Sequence, residues 1–299
     1  MKKVKIFLLS LLQFGIFLQA CSDDPRKDFL VTIKTNYGEM KAILYDETPK
    51  HKENFLKLAR EGFYNGLLFH RVMNQFMIQT GDPNSKIAEK GAPLGVGGPG
   101  YTIPAEFNPS LIHIKGALAA ARQGDNINPK KESSGSQFYI AQGKVFTREE
   151  LMANRIDINQ LNKFFNMYIQ TPENKALRDQ AIQFQKERNS TALQNLALDR
   201  KDELENFYSV DFDISISELQ VEKYTTIGGI PHLDGAYTVF GQVIDGLDVI
   251  DKIAAVETDA RNRPMEDISI EMHVDEMRCR KITKLYGYQY PPMQRKQQE

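Results

Sequence analysis

Cysteine and histidine are scarce in this 299-residue chain, which has two cysteines and five histidines. The histidines are scattered, and neither a C-x-x-C nor an H-x-x-x-H pattern occurs in the sequence. Closely spaced ligands of this kind mark most zinc sites in proteins. The sequence therefore predicts no metal site and no cofactor.

An excess of charge of either sign is also absent. Lys and Arg together number 38 and Asp and Glu 39, which gives a formal net charge of −1. Basic stripes interleaved with aromatic residues do not occur, so nucleic acid is not an expected partner. The hydrophobic content of 41% is typical of a folded globular protein rather than a disordered one.

The apolar run at the N-terminus is short. Three lysines within the first five residues precede an apolar stretch over residues 6–18, and the small residue Ala20 follows it. This arrangement is typical of a cleaved export signal and is too short to span a membrane comfortably. A buried N-terminal strand or helix is the alternative, but it fits the lysines poorly. We predict a signal peptide over residues 1–20.

Cys21 directly follows that segment and resembles the modified cysteine of the bacterial lipobox. The resemblance implies cleavage before Cys21, acylation of this cysteine, and a lipid anchor in a bacterial cell envelope, on the periplasmic face or the outer surface. A polar tether over residues 21–27 would connect the anchor to the folded part. No second cysteine would then remain for Cys279, so no disulfide is expected.

Residues 68–82, which read LFHRVMNQFMIQTGD, contain two strand-like segments separated by a break. Arg71 lies among aromatic and aliphatic neighbours, and Gln79 lies at a strand-compatible distance from it. Hydrogen bonds from a guanidinium in such apolar surroundings are stronger than in open water. The alternative is a surface arginine on an edge strand, which the hydrophobic pattern alone leaves open.

Three segments in order resemble cyclophilin-type peptidyl-prolyl isomerases: FHRVMNQFMIQTGD at 69–82, GSQFYI at 135–140 and LDGAYTVFG at 233–241. The resemblance implies one isomerase domain made of residues 28–143 and 224–284. It implies a mainly β fold with some α structure, namely a closed eight-stranded antiparallel barrel with two capping helices and a helical insertion.

The resemblance also implies roles for individual residues. Arg71 matches the catalytic arginine, Gln79 and Gln137 would orient it and the peptide, and Tyr139, rather than Phe138, matches the pocket position. The substrate-binding residues implied in this way are Phe76, Met77, Gln79, Ala120, Ala121, Arg122, Gln137, Tyr139, His232, Leu233, Tyr237 and Phe240.

Four of these positions depart from the residues that are common in relatives. Arg122 stands where relatives usually have asparagine, and Tyr139 where they mostly have phenylalanine. His232 stands where many eukaryotic relatives carry tryptophan, and Tyr237 replaces a common histidine. We expect the phenol of Tyr139 to contact a water molecule and to alter the pocket floor slightly.

The implied reaction is rotation about an X-Pro peptide bond. Its uncatalysed barrier is about 18–20 kcal/mol, and the reaction breaks no covalent bond. A nucleophile and a metal are therefore unnecessary. We predict that Arg71 catalyses the isomerisation of proline-containing segments in exported or cell-envelope proteins and assists their folding.

Two other reactive side chains have simpler explanations. His70 has no second ligand at a metal-site spacing, so we interpret it as a structural histidine. Ser136 lacks the G-x-S-x-G pattern of a hydrolase nucleophile, so a catalytic triad is not expected there.

Residues 144–223 interrupt the resemblance, and their hydrophobic spacing predicts two to four helices. They form either an inert addition packed on the barrel or an arm that holds unfolded clients; the pattern favours the first. Residues 285–299 are predicted to form a flexible tail.

Two functions of other classes remain open. One is a module that binds proline-containing segments without turning them over, although the presence of Arg71 and Gln79 argues against an inactive site. The other is a chaperone in which the helical insertion carries the main function.

Overall fold

The computed structural model describes residues 26–153 and 156–291, so the predicted signal peptide and Cys21 lie outside the described residues. The described strands all pair antiparallel. They are β1 Lys27–Thr35, β2 Gly38–Leu44, β3 Arg71–Met73, β4 Met77–Thr80, β5 Thr102–Ile103, β6 Ala117–Ala120, β7 Ser133–Ser134, β8 Phe138–Ala141, β9 Val239–Asp245 and β10 Glu271–Arg278.

Eight of these strands form one sheet in the order β10-β1-β2-β9-β6-β8-β4-β3, and β5 pairs with β7 separately. The expected closed barrel is not present as a continuous ladder among the described residues, because the order has two ends. The segments before the end strands do meet, at a bridge between Leu68 and Ser269. Backbone hydrogen bonds of 2.9 Å run there from Phe69 N to Ile268 O, from Ile270 N to Leu67 O and from Gly66 N to Ile270 O. Strand β3 is three residues long, too short to pair along β10.

The described helices are α1 Pro49–Arg60, α2 Arg148–Ala153, α3 Ile158–Tyr168, α4 Lys175–Lys186, α5 Ser190–Leu198, α6 Lys201–Tyr208, α7 Glu218–Thr226, α8 Leu247–Ala254 and α9 Cys279–Tyr286. Short 3-10 helices cover Pro83–Ile87, Pro172–Asn174 and Pro231–Leu233.

The prediction of two to four helices after β8 was too low, because α2 to α7 are six. The apolar spacing of the sequence continues from Leu193 to Phe207, but Asp199 and Arg200 separate α5 from α6. Hydrophobic spacing does not reveal a turn of this kind, since the apolar stripe continues through it.

The main core lies between the sheet and the helices α1 and α8. Phe55 of α1 and Ile250 of α8 are almost fully buried in the same cluster as Val31, Leu118 and Ile140 of the strands. The two helices correspond to the pair expected from the family resemblance. Both bury an apolar face that the sheet alone would leave exposed.

Helices α3 to α6 pack around a separate core. Leu161, Phe165, Ala197 and Leu204 are nearly inaccessible, and Phe212 completes the cluster. All members of this cluster lie between residues 156 and 212. These helices therefore bury most of their apolar surface against one another.

The chain after α9 differs from the predicted flexible tail as far as Pro291, where the description ends. Tyr288 and Tyr290 pack against Leu30 and Ile43 of the sheet, and the Tyr290 hydroxyl donates a hydrogen bond to Asp28 at 3.2 Å. The aromatic residues of this otherwise polar segment make these apolar contacts with the sheet. None of the described helices combines the length and apolar character needed to cross a bilayer.

Candidate active site

A cleft of about 360 Å³ opens on one face of the sheet, beside the hairpin of β3 and β4. Nine of the thirteen residues predicted to act in catalysis or substrate binding line it. These nine are Arg71, Phe76, Met77, Gln79, Ala121, Arg122, Tyr139, Leu233 and Tyr237. The local register explains the centre of the cleft, because Arg71 pairs directly with Gln79 across the hairpin.

The guanidinium of Arg71 is half-buried and has neutral partners. It donates hydrogen bonds to Gln79 Oε1 at 3.2 Å and to Met73 Sδ at 3.2 Å, and it lies 5.8 Å from the ring centre of Phe76. Within the described chain it forms no ion pair with a carboxylate. Burial lowers the pKa of Arg71 from its usual value without removing its charge. The cleft therefore presents a cation that is partly desolvated and free to interact with a ligand.

A chain of amides fixes the position of Arg71. Gln79 Nε2 donates to Gln137 Oε1 at 3.1 Å, and Gln137 Nε2 donates to Gly97 O at 2.7 Å. Gln137 does not line the cleft itself, but it connects the arginine to the loop after residue 90. Each amide uses its oxygen to accept and its nitrogen to donate, so the direction of the chain is defined.

Asp82 holds that loop against the hairpin. Its side chain is inaccessible to solvent and accepts hydrogen bonds from the backbone N–H groups of Asn84 at 2.8 Å, Gly95 at 2.5 Å and Gly97 at 3.2 Å. A Cβ atom at position 97 would lie 2.1 Å from Asp82 Oδ1, so only glycine permits this close approach. The loop thereby becomes a fixed wall of the cleft.

The opposite wall is aromatic. The Tyr237 ring meets the Tyr139 ring edge to face, with centroids 5.9 Å apart. Arg122 lies over the Tyr237 ring at 4.6 Å and donates hydrogen bonds to Ala236 O at 2.8 Å and Asp125 Oδ1 at 2.6 Å. Where relatives usually have asparagine, this chain thus has an arginine that fixes the rim.

The cleft excludes three further predicted residues. Ala120 and Phe240 are buried in the main core, and Phe240 packs against Phe55 and Phe138. Side chains alternate along a strand, so Ala121 faces the cleft while Ala120 faces the core. His232 lies at the edge of the site, with its ring parallel to that of Phe76 at 5.8 Å.

The phenol of Tyr139, for which we expected a contact with water, has a protein partner. The Tyr139 hydroxyl lies 2.9 Å from His113 Nε2, and the imidazole is fully buried. Burial raises the pKa of Tyr139 well above its usual value, so the phenol stays protonated. His113 is forty-two positions from Arg71 in sequence, and its own segment carries no motif that pointed to this contact.

Eight cleft residues were absent from the sequence-based set: His70, Ala92, Pro93, Leu94, Gly95, Asp259, Arg261 and Arg263. The glycine- and proline-rich composition around Pro93 indicated a loop but not its position. His70 is buried, and this burial lowers its pKa to about 4. This agrees with a neutral, structural histidine.

Metal-ligating groups cluster once in the described part of the chain, at Glu205 of α6 and at Asp211 and Asp213, which follow this helix. Lys201 already forms ion pairs with Glu205 at 2.6 Å and with Asp213 at 3.2 Å. The lysine supplies the positive charge that these carboxylates attract. The cluster is therefore explained as a surface ion-pair network.

Comparison with known proteins gives the family. The model of the cyclophilin-type peptidyl-prolyl cis-trans isomerases matches residues 30–274. A Staphylococcus saprophyticus protein named as a peptidyl-prolyl cis-trans isomerase is 31% identical over 241 residues, which cover 79% of this chain and 86% of that protein.

A Streptococcus pyogenes protein named as a bifunctional phosphatase/peptidyl-prolyl cis-trans isomerase is 33% identical over 249 residues. The match covers 81% of this chain but 37% of that longer protein. A crystal structure of a Cryptosporidium parvum cyclophilin-type isomerase is similar with a TM-score of 0.46 and 21% identity, over 84% of this chain and 98% of that one. By its family match over most of its length, the chain belongs to the cyclophilin-type peptidyl-prolyl cis-trans isomerases.

Proposed function

We propose that this protein accelerates cis-trans rotation about X-Pro peptide bonds in the cleft, with Arg71 as the catalytic group. The observation that carries this proposal is the half-buried Arg71 guanidinium, held by Gln79 and Met73 and not neutralised by an acid of the described residues. Next to it, the side chains of Phe76 and Leu233 offer an apolar surface to a pyrrolidine ring.

The chemistry follows from the electronic structure of the amide. In a planar peptide bond the nitrogen lone pair is delocalised, which gives the rotation barrier of about 18–20 kcal/mol. When the bond is twisted, the lone pair localises on the prolyl nitrogen and accepts a hydrogen bond. A donor placed there by Arg71 binds the twisted form better than either planar form, which is the condition for catalysis.

The cleft provides the rest of the environment. Apolar side chains such as Phe76 and Leu233 partly desolvate the guanidinium and the reacting amide, so their interaction is stronger than in bulk solvent. The amide chain through Gln79 and Gln137 holds the arginine in position before the substrate enters. Each gain of about 1.36 kcal/mol in preferential binding of the twisted amide increases the rate about tenfold.

The test is to compare Arg71→Ala and Arg71→Lys with the wild type. Isomerisation of an Ala-Pro peptide is measured by NMR exchange, and circular dichroism checks that each variant is folded. We expect Arg71→Ala to lose at least about a hundredfold in kcat/KM, as when one transition-state hydrogen-bond donor is removed elsewhere. Arg71→Lys should recover only part of the activity, because lysine keeps the charge but not the planar fork. Wild-type rates in a folded Arg71→Ala protein would reject the role.

We further propose that the clients are exported or envelope proteins and that the chain is anchored by a lipid on Cys21. The support is the sequence of residues 1–21, with its lysines, short apolar run and following cysteine. In a bacterial host, the full chain should fractionate with membranes, and Cys21→Ser should release it. Mass spectrometry of the N-terminal peptide tests the acylation directly; an unmodified cysteine in a membrane fraction would contradict it.

A further inference from the structure

The floor of the cleft is connected to the helices that follow β8. The Tyr139 hydroxyl contacts His113 Nε2 at 2.9 Å, and His113 Nδ1 contacts Asp234 Oδ1 at 2.9 Å. On its other oxygen, Asp234 accepts hydrogen bonds from the Tyr224 hydroxyl at 2.7 Å and from Gln220 Nε2 at 2.9 Å. Tyr224 and Gln220 both belong to α7.

The chemistry of the groups defines the direction of each bond. The ionised carboxylate of Asp234 only accepts, so His113 Nδ1 must carry the proton that it shares with this oxygen. In the neutral imidazole, Nε2 then accepts the proton of the Tyr139 hydroxyl. Asp234 thus fixes the tautomer of His113, and His113 in turn fixes the orientation of the Tyr139 ring.

The connected groups are buried and have little freedom to take other positions. His113 and Tyr224 are fully inaccessible, and Tyr139 is 4% exposed. The backbone N–H of His113 donates to the same Asp234 oxygen at 2.9 Å. Buried hydrogen bonds of this kind strengthen one another and are costly to leave unmade.

Helix α7 is itself fixed at the end that reaches Asp234. A capping box joins Ser217 and Gln220, in which the Gln220 side-chain oxygen accepts from the Ser217 backbone N–H at 2.9 Å. The same amide uses its nitrogen to donate to Asp234. Gln220 therefore connects the start of the helix with the residue that directly follows Leu233 in the cleft wall.

We propose that α7 positions the floor of the cleft through Tyr224, Asp234 and His113, and so sets how tightly the proline ring is bound. This inference rests on the proposed function of the cleft. Asp234 and His113 are positioning residues, since they act through Tyr139. Through α7, the helices after β8 would then contribute to the substrate site rather than form an inert addition.

The test is Tyr224→Phe in the full chain, which removes one hydroxyl and leaves the residues that line the cleft unchanged. A displaced floor weakens binding of the planar and the twisted amide alike, so KM should rise about fivefold with kcat changed less than about twofold. In a Tyr139→Phe background, the same substitution should change KM less than about twofold, because the hydroxyl that receives the effect is gone.

Tyr168→Phe is the matched control. The Tyr168 hydroxyl also donates to a carboxylate, that of Glu203, but within the separate helical core. We expect a KM equal to that of the wild type. An unchanged KM in Tyr224→Phe, or the same increase with and without the Tyr139 hydroxyl, would overturn the proposal.

A second measurement separates this inference from the proposed function. The ¹³C-labelled ring of Tyr139, assigned with Tyr139→Phe, should shift in Tyr224→Phe but not in Tyr168→Phe. If the wild type catalysed no isomerisation, the proposed function would fail, and the NMR comparison would still decide the connection. Ring signals that are identical in all three proteins would reject it.

Discussion

Gln79→Leu tests whether the orientation of the Arg71 guanidinium, and not only its charge, supports the reaction. The substitution keeps the approximate volume of the side chain but removes its amide. Two hydrogen bonds are lost: the one from Arg71 Nη1 to Gln79 Oε1 at 3.2 Å, and the one from Gln79 Nε2 to Gln137 Oε1 at 3.1 Å. Among the described residues, the guanidinium then keeps the thioether of Met73 as its hydrogen-bond partner.

The expected loss follows from the first of these bonds. A hydrogen bond that involves a charged group contributes about 1.5–3 kcal/mol. If that energy holds the guanidinium at the prolyl nitrogen, its loss lowers kcat/KM between about tenfold and about 150-fold, at about 1.36 kcal/mol per tenfold. The decrease should appear in kcat, because the bond to the twisted nitrogen exists only in the transition state.

The assay is NMR exchange on an Ala-Pro peptide, with Gln142→Leu as the control. Gln142 is a buried glutamine that accepts from Gln75 N at 2.6 Å and donates to Asp251 at 3.1 Å, outside the cleft lining. The control should lose stability without losing kcat. Equal decreases of kcat in the two variants would mean that general destabilisation, and not a changed orientation of Arg71, lowers the rate.

Two further predictions concern the wall beside the arginine. Asp82→Ala should lower the free energy of unfolding by about 3–5 kcal/mol, because backbone N–H groups such as that of Gly95 lose a buried charged acceptor. It should also raise KM, because the loop moves. Urea unfolding and peptide kinetics measure the two effects, and an unchanged KM would contradict the proposed role of the loop. His70 has its pKa lowered to about 4 by burial, so the unfolded chain binds more protons than the folded one between about pH 6.5 and 4. Stability should therefore fall by about 3 kcal/mol as the pH drops through this window, and His70→Phe should remove that part of the decrease. If urea unfolding of the wild type and of His70→Phe showed the same dependence on pH, His70 would not be the cause of the decrease.

The centre of the cleft could be predicted because its residues are neighbours in sequence. Arg71, Phe76, Met77 and Gln79 lie within nine positions, on one hairpin whose register pairs the arginine with the glutamine. Local geometry specifies such a constellation, since a tight hairpin determines which residues oppose each other. The family motifs record this local geometry.

At other positions the sequence did not show on which face of its strand a side chain lies. Ala120 and Phe240 were both expected to bind substrate, yet they point into the main core. A strand that is buried on both faces has no polar alternation to show which face is which. The packing of the core, which needs a large ring between Phe55 and Phe138, decides the orientation of Phe240.

The sequence by itself determined the family, the hairpin that carries Arg71 and the position of the helical segment after β8. Only the tertiary structure decided which groups complete the cleft: the loop held by Asp82, and the connection from Tyr139 through His113 and Asp234 to α7. The physical reason is range. Contacts along a hairpin follow from backbone geometry, whereas contacts between separate segments, such as that between His113 and Asp234, depend on how the whole chain packs.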